Sequence, residues 1–274
     1  MSLNVRTISA ETHARWLRSQ ASVSFLQLPC WADVKVGWRR ESVGWFDGDR
    51  LVGVALVLHR SVPKIRWRTL AYIPEGPVID WTSPAHDPAD WLQPLLSHCA
   101  TVGAFQVKMG PPIAARCWNA ATVKQALADA DANRPEDTHQ PTSLSEIPAD
   151  WSSPVAPAVV EALRSAGGTQ LASSGAGFAD VQPRFVYCVS LQDRTLDDVF
   201  AGFNQLWRRN VRKADKSRVV VRLGSREDLA DFHRVYVETA ERDHFTPRGQ
   251  VYFERMWDAL NSATDDYHGM TLHI

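Results

Sequence analysis

Six cations crowd one short stretch of this sequence, Arg208, Arg209, Arg212, Lys213, Lys216 and Arg218, with Asp215 the only acid among them. They lie in TLDDVFAGFNQLWRRNVRKADKSRVVVR, Thr195 to Arg222. Arg208 and Arg212 stand four residues apart, so on a helix they point the same way. Guanidinium forks match the geometry of phosphate oxygens, and a rigid helix would hold several of them in place. The commoner use of a basic run is a solvated face, and spacing alone does not choose between the two. Three further residues have side chains that suit ligand contact. Lys35 is either an anion ligand or a plain lysine at a helix end. Trp38 is either a ligand platform or one more core tryptophan, and Tyr252 either faces a ligand or merely flanks the core residue Phe253. Asp80 is the one candidate acid/base, although a loop aspartate more often caps a turn. The nine histidines show no pairing in the sequence, so none is given a role.

The elements that must position these residues can be read from periodicity. Val199, Phe200, Phe203, Trp207, Val211 and Ala214 recur at three- and four-residue spacing, which predicts one helix with that face and Trp207 buried. Thr195 is its N-cap, and Asp198 sits three residues on, near the positive end of the dipole. Strands Arg184 to Leu191 and Val219 to Leu223 flank it. Ser225 opens a helix running to about Arg242, and Gln250 to Asn261 forms the last, with Phe253, Met256, Trp257 and Leu260 inward. Gly269 to Ile274 begins a strand; ending on one is unusual, so the chain reads as cut short.

Earlier in the chain, Glu11 to Ser22 is a short amphipathic helix. Glu41 to Phe46 and Arg50 to His59 are strands joined by Asp47-Gly48-Asp49, a hairpin signal. LVGVALVLH is apolar nearly throughout and predicts a central strand buried on both faces. Trp67 to Ile73 is a third strand, leading into the stiff loop YIPEGPVID, Tyr72 to Asp80. A helix from Asp87 to Val102 and a strand from Ala104 to Met109 follow. From Ala126 to Pro157 the composition turns to Asp, Pro, Ser and Thr, a flexible connection, and Val159 to Ser165 is helical. Strands interleaved with helices in two successive halves predict an α/β chain of two domains, 1–150 and 151–274.

Composition narrows the function. A chain of 274 residues with 45% hydrophobic and 22% charged residues is globular. A net charge of −1 excludes a globally basic nucleic-acid binder, while the acid-rich segment 126–150 against the basic Thr195–Arg222 stretch points to one localised anionic partner. Cys30, Cys99, Cys117 and Cys188 have no metal-ligand spacing, and Cys30, Cys99 and Cys188 read as small core residues. No signal peptide or membrane-span run appears, so a cytoplasmic location is expected, with a peripheral station at the inner face of the membrane as a variant. Nucleotide-binding, zinc and nucleophile-elbow motifs are absent.

Four stretches, in order, carry a resemblance. FLQLPCWADVKVGW is similar to an FLQSxxWxxxK pattern. YIPEGPVID with GAFQVKMGPPI is similar to YxPRGPVxD and its partner strand. LWRRNVRKADKSRVVV is similar to KxRYNIRxAxKxGVxV, and YVETAERDHFTPRGQVYFERMWDAL to YxxxxxTxxRxxFxxRxxxYF. Together they resemble the Fem family of aminoacyltransferases, the FemAB and FemX proteins that build peptidoglycan interpeptide bridges. The resemblance implies two GNAT-like domains with mixed sheets flanked by helices, the second incomplete here, and a cleft between them. It implies an aminoacyl-tRNA donor and, as acceptor, a UDP-MurNAc-pentapeptide or lipid-linked muramyl-peptide. No cofactor is implied. Lys35 and Arg208 fall on positions that hold the diphosphate, and Arg212 and Tyr252 on positions facing the substrate. Leu28 replaces the usual serine, and Glu75 stands where the family prefers arginine.

The family continues past this chain's end, where the lysine and aromatic residue associated with the donor ester lie. The expectation is therefore that the chain binds precursor without turnover and self-associates through the edge Gly269 to Ile274. Two rivals remain. An acyl-CoA-dependent N-acyltransferase would want a glycine-rich pyrophosphate loop, which is missing. A tRNA- or nucleic-acid-binding module would use the basic helix and lose affinity steeply with salt.

Overall fold

The computed structural model describes residues 2–131, 143–171, 183, 185–262 and 271–273. The chain divides into two compact units, Met1–Pro29 with Gly37–Leu171, and Cys30–Val36 with Ala172–Ile274. Residues 151–171 thus belong with the first unit, and the short segment around Lys35 with the second.

The first unit is built on a five-stranded sheet. β1 (Asn4–Thr7) leads into α1 (Ala10–Arg18), capped by Ser9, whose hydroxyl accepts from the Thr12 amide. The next helix, α2 (Trp31–Val34), belongs to the second unit. β2 (Arg39–Asp47) and β3 (Arg50–Val62) form the expected hairpin, closing at the Asp47↔Arg50 pair. Gly48 there has φ +61°, which a side chain would resist. β4 (Ile65–Ile73) pairs antiparallel with β3, and α3 (Pro88–Thr101) carries the chain over so that β5 (Ala104–Met109) pairs parallel with β4. A capping box of Asp87 and Asp90 starts α3, and Gly103 at φ +91° follows its end. β2 to β5 are the strands read from the sequence, β1 was not read there, and the α/β class with a mixed sheet flanked by helices is what forms.

Val54 to Leu58 of β3 are wholly buried, as a strand covered on both faces must be. On one face Trp45, Val57, Ile73, Trp91, Leu95 and Cys99 form a core; burying each large apolar side chain contributes about 1.5–3 kcal/mol. The Trp45 indole N–H still needs a partner there and donates to the Trp91 carbonyl at 2.8 Å. A polar spine crosses the same unit. Glu41 on β2 accepts from Thr7 of β1 at 2.6 Å, and pairs with His59 of β3 at 2.9 Å and His98 of α3 at 2.8 Å. Two histidines unpaired in sequence are therefore joined through one buried carboxylate.

The unit is completed by β6 (Arg116–Cys117), α4 (Ala120–Asp131), β7 (Trp151–Ser152), which pairs with β6, and α5 (Ala156–Ser165), which packs on α3.

The second unit, in its described residues, is helical: α2, α6 (Leu196–Gly202), α7 (Gln205–Lys216), α8 (Leu229–Asp243) and α9 (Gln250–Ser262). Leu229, Phe253 and Leu272 are its buried centre, with Phe232, Tyr236, Met256 and Trp257 around them. Three expected elements do not form here. The run from Phe185 to Leu191 forms no strand, and Val219 to Leu223 gives only an isolated Leu223↔His273 bridge. A strand needs a neighbour to bond with, and neither run has a ladder partner among the described residues. Gly269, Met270 and Ile274 of the expected last strand lie outside the described residues. Cys188, read as a core residue, is exposed, whereas Cys99 is buried.

The third failure is the single long helix. Phe203 turns extended at ψ 150°, and Asn204 caps a new helix by accepting from the Trp207 amide at 2.8 Å. An asparagine in mid-stripe offers its side chain to the backbone and so starts a helix more readily than it continues one. Trp207 is 59% exposed, not buried, and its ring lies 5.5 Å from that of Phe203, centroid to centroid.

Candidate functional site

Lys35 sits at the C-terminal end of α2, whose Trp31, Ala32 and Val34 are buried. Its amide donates to the Ala32 carbonyl at 3.0 Å, which fixes the stem and leaves the ammonium to reach outward. α2 packs on α9, so Nζ comes 5.1 Å from the Trp31 ring centroid and 5.7 Å from that of Tyr252. The Arg248 guanidinium lies 4.6 Å from the same Tyr252 ring. Aromatic faces attract cations, which explains how two like charges gather here. Among the described residues neither Lys35 nor Arg248 has a carboxylate partner. Burial, and then the charge of Arg248, push the Lys35 ammonium below its ordinary pKa. Burial likewise pushes the Tyr252 phenol up. Two cations beside an aromatic ring, without a carboxylate partner among the described residues, are chemically suited to an oxyanion, the arginine as a fork and the lysine as a point charge.

α7 offers a second cationic surface. Gln205, Arg208, Arg209, Arg212, Lys213 and Lys216 line a recess of about 730 Å³. All six come from one helix, so it is an open furrow between side chains. Arg208 donates to the Ala201 carbonyl at 3.1 Å, and the Arg212 guanidinium lies 5.4 Å from the Phe200 ring centroid. These contacts brace both side chains, and none of the five cations has an ion-pair partner among the described residues.

The remaining candidates fall elsewhere. Trp38 belongs to the first unit, half-buried, its ring 6.1 Å from that of Tyr72 and 5.7 Å from the Arg60 guanidinium. The Asp80 carboxylate is exposed and accepts from the amide and hydroxyl of Thr82 at 2.9 and 2.6 Å, the pattern of a turn cap. Glu75 accepts from the Ser24 hydroxyl. Arg248 was missed by sequence reasoning, although it stands four residues before Tyr252 in DHFTPRGQVYF. The signal that could have found it is the FxxRxxxYF pattern, whose fixed arginine falls on Arg248.

The loop motifs also have a structural use. Gln27, fully buried, donates to the Pro74 carbonyl and accepts from the Leu56 amide at 2.9 Å. It thereby ties FLQ to YIPEGP. A Cβ on Gly76 would meet the Gln27 side chain at 2.6 Å, so only glycine fits.

The FemAB family model matches residues 8–264. The chain belongs to the FemAB family. Two relatives are both named Lipid II:glycine glycyltransferase. The protein of Staphylococcus epidermidis is 25% identical over 94% of this chain and 53% of its own length. That of Staphylococcus aureus is 27% identical over 94% of this chain and 52% of its own. This FemAB-family chain thus spans about half the length of the curated relatives it matches. The crystal structure of FemX matches it with a TM-score of 0.64 at 23% identity, covering 96% of this chain and 56% of FemX. That likeness shows the fold. Among the described residues, no helix is long and apolar enough to cross a membrane.

Proposed function

We propose that this FemAB-family protein takes part in aminoacyl transfer from an aminoacyl-tRNA to the stem peptide of a peptidoglycan precursor, and that the 274-residue chain binds that precursor. The observation that carries this reading is Lys35, half-buried beside Tyr252 and without a carboxylate partner among the described residues. A muramyl-peptide precursor has a diphosphate to offer it, whether uridine-linked or lipid-linked. The names of the relatives support a lipid-linked acceptor; the tRNA donor rests on the family resemblance alone.

In the reaction proposed, an unprotonated amine of the stem peptide attacks the ester carbonyl of the donor. The new C–N bond forms, the C–O bond to the tRNA breaks, and the amine proton leaves with the departing ribose oxygen. The tetrahedral oxyanion on the way needs positive charge or N–H donors beside it. Holding the precursor by its diphosphate fixes where the amine stands, and such orientation supplies much of the acceleration. No protein nucleophile is needed. Lys35 and Arg208 are assigned to the diphosphate, and Arg212 and Tyr252 to positions facing the substrate.

Calorimetric titration with UDP-muramyl-pentapeptide, against UDP alone and an unrelated tRNA, tests the reading. Preference for the muramyl-peptide supports it. A second reading is favoured by the five cations of α7, which have no ion-pair partner among the described residues: a nucleic-acid surface. Binding of tRNA alone, with a steep fall in affinity as salt rises, would favour that instead.

A further inference from the structure

We infer that Arg248 is a further cation of the Lys35 site, forming with Lys35 a seat for a diphosphate beside the ring of Tyr252. The inference deepens the precursor-binding reading and rests on it for the identity of the ligand.

Arg248 is held as a working side chain would be. α8 ends with His244 in the left-handed region, φ +57°, and the Phe245 amide returns to the Ala240 carbonyl at 3.1 Å. The loop is then pinned to α8 at Arg248 itself. His233 Nε2 donates to its carbonyl at 2.9 Å, and its amide donates to the Tyr236 hydroxyl at 3.5 Å. With the backbone fixed on both sides, the exposed guanidinium lies over Tyr252, in the first turn of α9. The positive end of that helix adds to the field.

A structural arginine would be expected to pair with a carboxylate, and one is near in sequence. Glu254 is instead engaged by the Gln250 side chain at 2.8 Å. Arg248 and Lys35 both approach the Tyr252 ring, and the charge of Arg248 contributes to lowering the Lys35 pKa. Keeping two cations together without a counter-ion costs free energy that a bound anion returns. A compact monoanion would satisfy one of them. A diphosphate, with oxygens on two phosphorus atoms, meets both, one by the guanidinium fork and the other by the ammonium.

The test uses the 274-residue chain and four proteins: wild type, Lys35→Met, Arg248→Met and Arg248→Lys. Each is titrated with inorganic pyrophosphate and with UDP-muramyl-pentapeptide, and the Lys35 ammonium is titrated by NMR. Arg248→Met is expected to weaken pyrophosphate binding about ten- to a hundredfold, as loss of a charge-assisted contact does, with Arg248→Lys between it and wild type. The Lys35 pKa is expected to rise in Arg248→Met, which a merely structural arginine elsewhere would not cause. If Arg248→Met binds pyrophosphate as wild type does while Lys35→Met does not, the inference is overturned and the precursor reading stands. If pyrophosphate binds in an Arg248-dependent way but the muramyl-peptide binds no better, the seat stands and the precursor reading falls. If wild type binds neither, both fall.

Discussion

The Lys35 ammonium stands 5.7 Å from the centroid of the Tyr252 ring, although 217 positions separate the two residues in sequence. α2 contributes the first and the opening turn of α9 the second, and the packing of those helices brings them together. The ring is what lets Lys35 and Arg248 share a site without a carboxylate between them. Tyr252→Phe keeps the aromatic face and is expected to hold precursor affinity within about 1 kcal/mol of wild type. Tyr252→Ala removes the floor and is expected to cost about 1–2 kcal/mol of binding more than Phe does. Equal affinity of the Ala and Phe variants by calorimetry would show that the ring takes no part.

Gln27 predicts a stability effect remote from that site. Its amide satisfies the Leu56 N–H and the Pro74 carbonyl in a fully buried position. Gln27→Ala is expected to destabilise the first unit by about 1–3 kcal/mol for each group left unsatisfied. Gly76→Ala should do comparable harm, because the new methyl needs the space Gln27 fills. Urea denaturation measures both, and wild-type midpoints would contradict the clamp.

Trp207 predicts the reverse of a core residue. Among the described residues its one ring contact is Phe203, and most of its surface is exposed. Trp207→Ala in the 274-residue chain is expected to cost about 0.5–1.5 kcal/mol, the worth of an aromatic pair, against about 3–5 kcal/mol for a buried tryptophan. A loss in the larger range would place Trp207 in a core.

These cases show where the sequence was legible. Strands β2 to β5 and helix α3 were readable because local signals agree: a turn at Asp47-Gly48-Asp49, a capping box at Asp87, a glycine at 103. Lys35, Arg208, Arg212 and Tyr252 were reachable only because four modest motifs fell in order. The capped break at Asn204 was hidden by a stripe that runs through it. The pairing of Glu41 with His59 and His98, and of Arg248 with Lys35, depends on contacts between distant segments, which spacing and composition do not signal, although Arg248 itself is the fixed arginine of the FxxRxxxYF pattern.

Acid should unfold the first unit in two overlapping steps. His13 is buried and bonded through Nδ1 to the Ser42 hydroxyl at 2.9 Å, and burial lowers its pKa from 6.5 to about 4. The unfolded chain therefore takes up that proton first. Stability is whole above pH 6.5 and falls as the pH drops from 6.5 towards 4. For Glu41, burial raises the pKa, but hydrogen bonds from His59, Thr7 and His98 outweigh it and hold the carboxyl at about 2 against an ordinary 4.5. Its contribution is present above pH 4.5 and is lost from there towards pH 2. His13→Gln should flatten the upper part of the profile and Glu41→Gln the lower. Urea midpoints measured between pH 7 and pH 2.5 decide this, and variant profiles parallel to wild type would refute the assignments.

The central claim is that Lys35 holds the diphosphate of a muramyl-peptide precursor. Calorimetric titration of UDP-muramyl-pentapeptide into wild type and Lys35→Ala, side by side at one salt concentration, tests it most directly. The account predicts saturable binding to wild type and a loss of about 1.5–3 kcal/mol in the variant, the range for a charge-assisted contact. Equal affinity in the two proteins, or no preference in wild type for the muramyl-peptide over an unrelated tRNA, would contradict it.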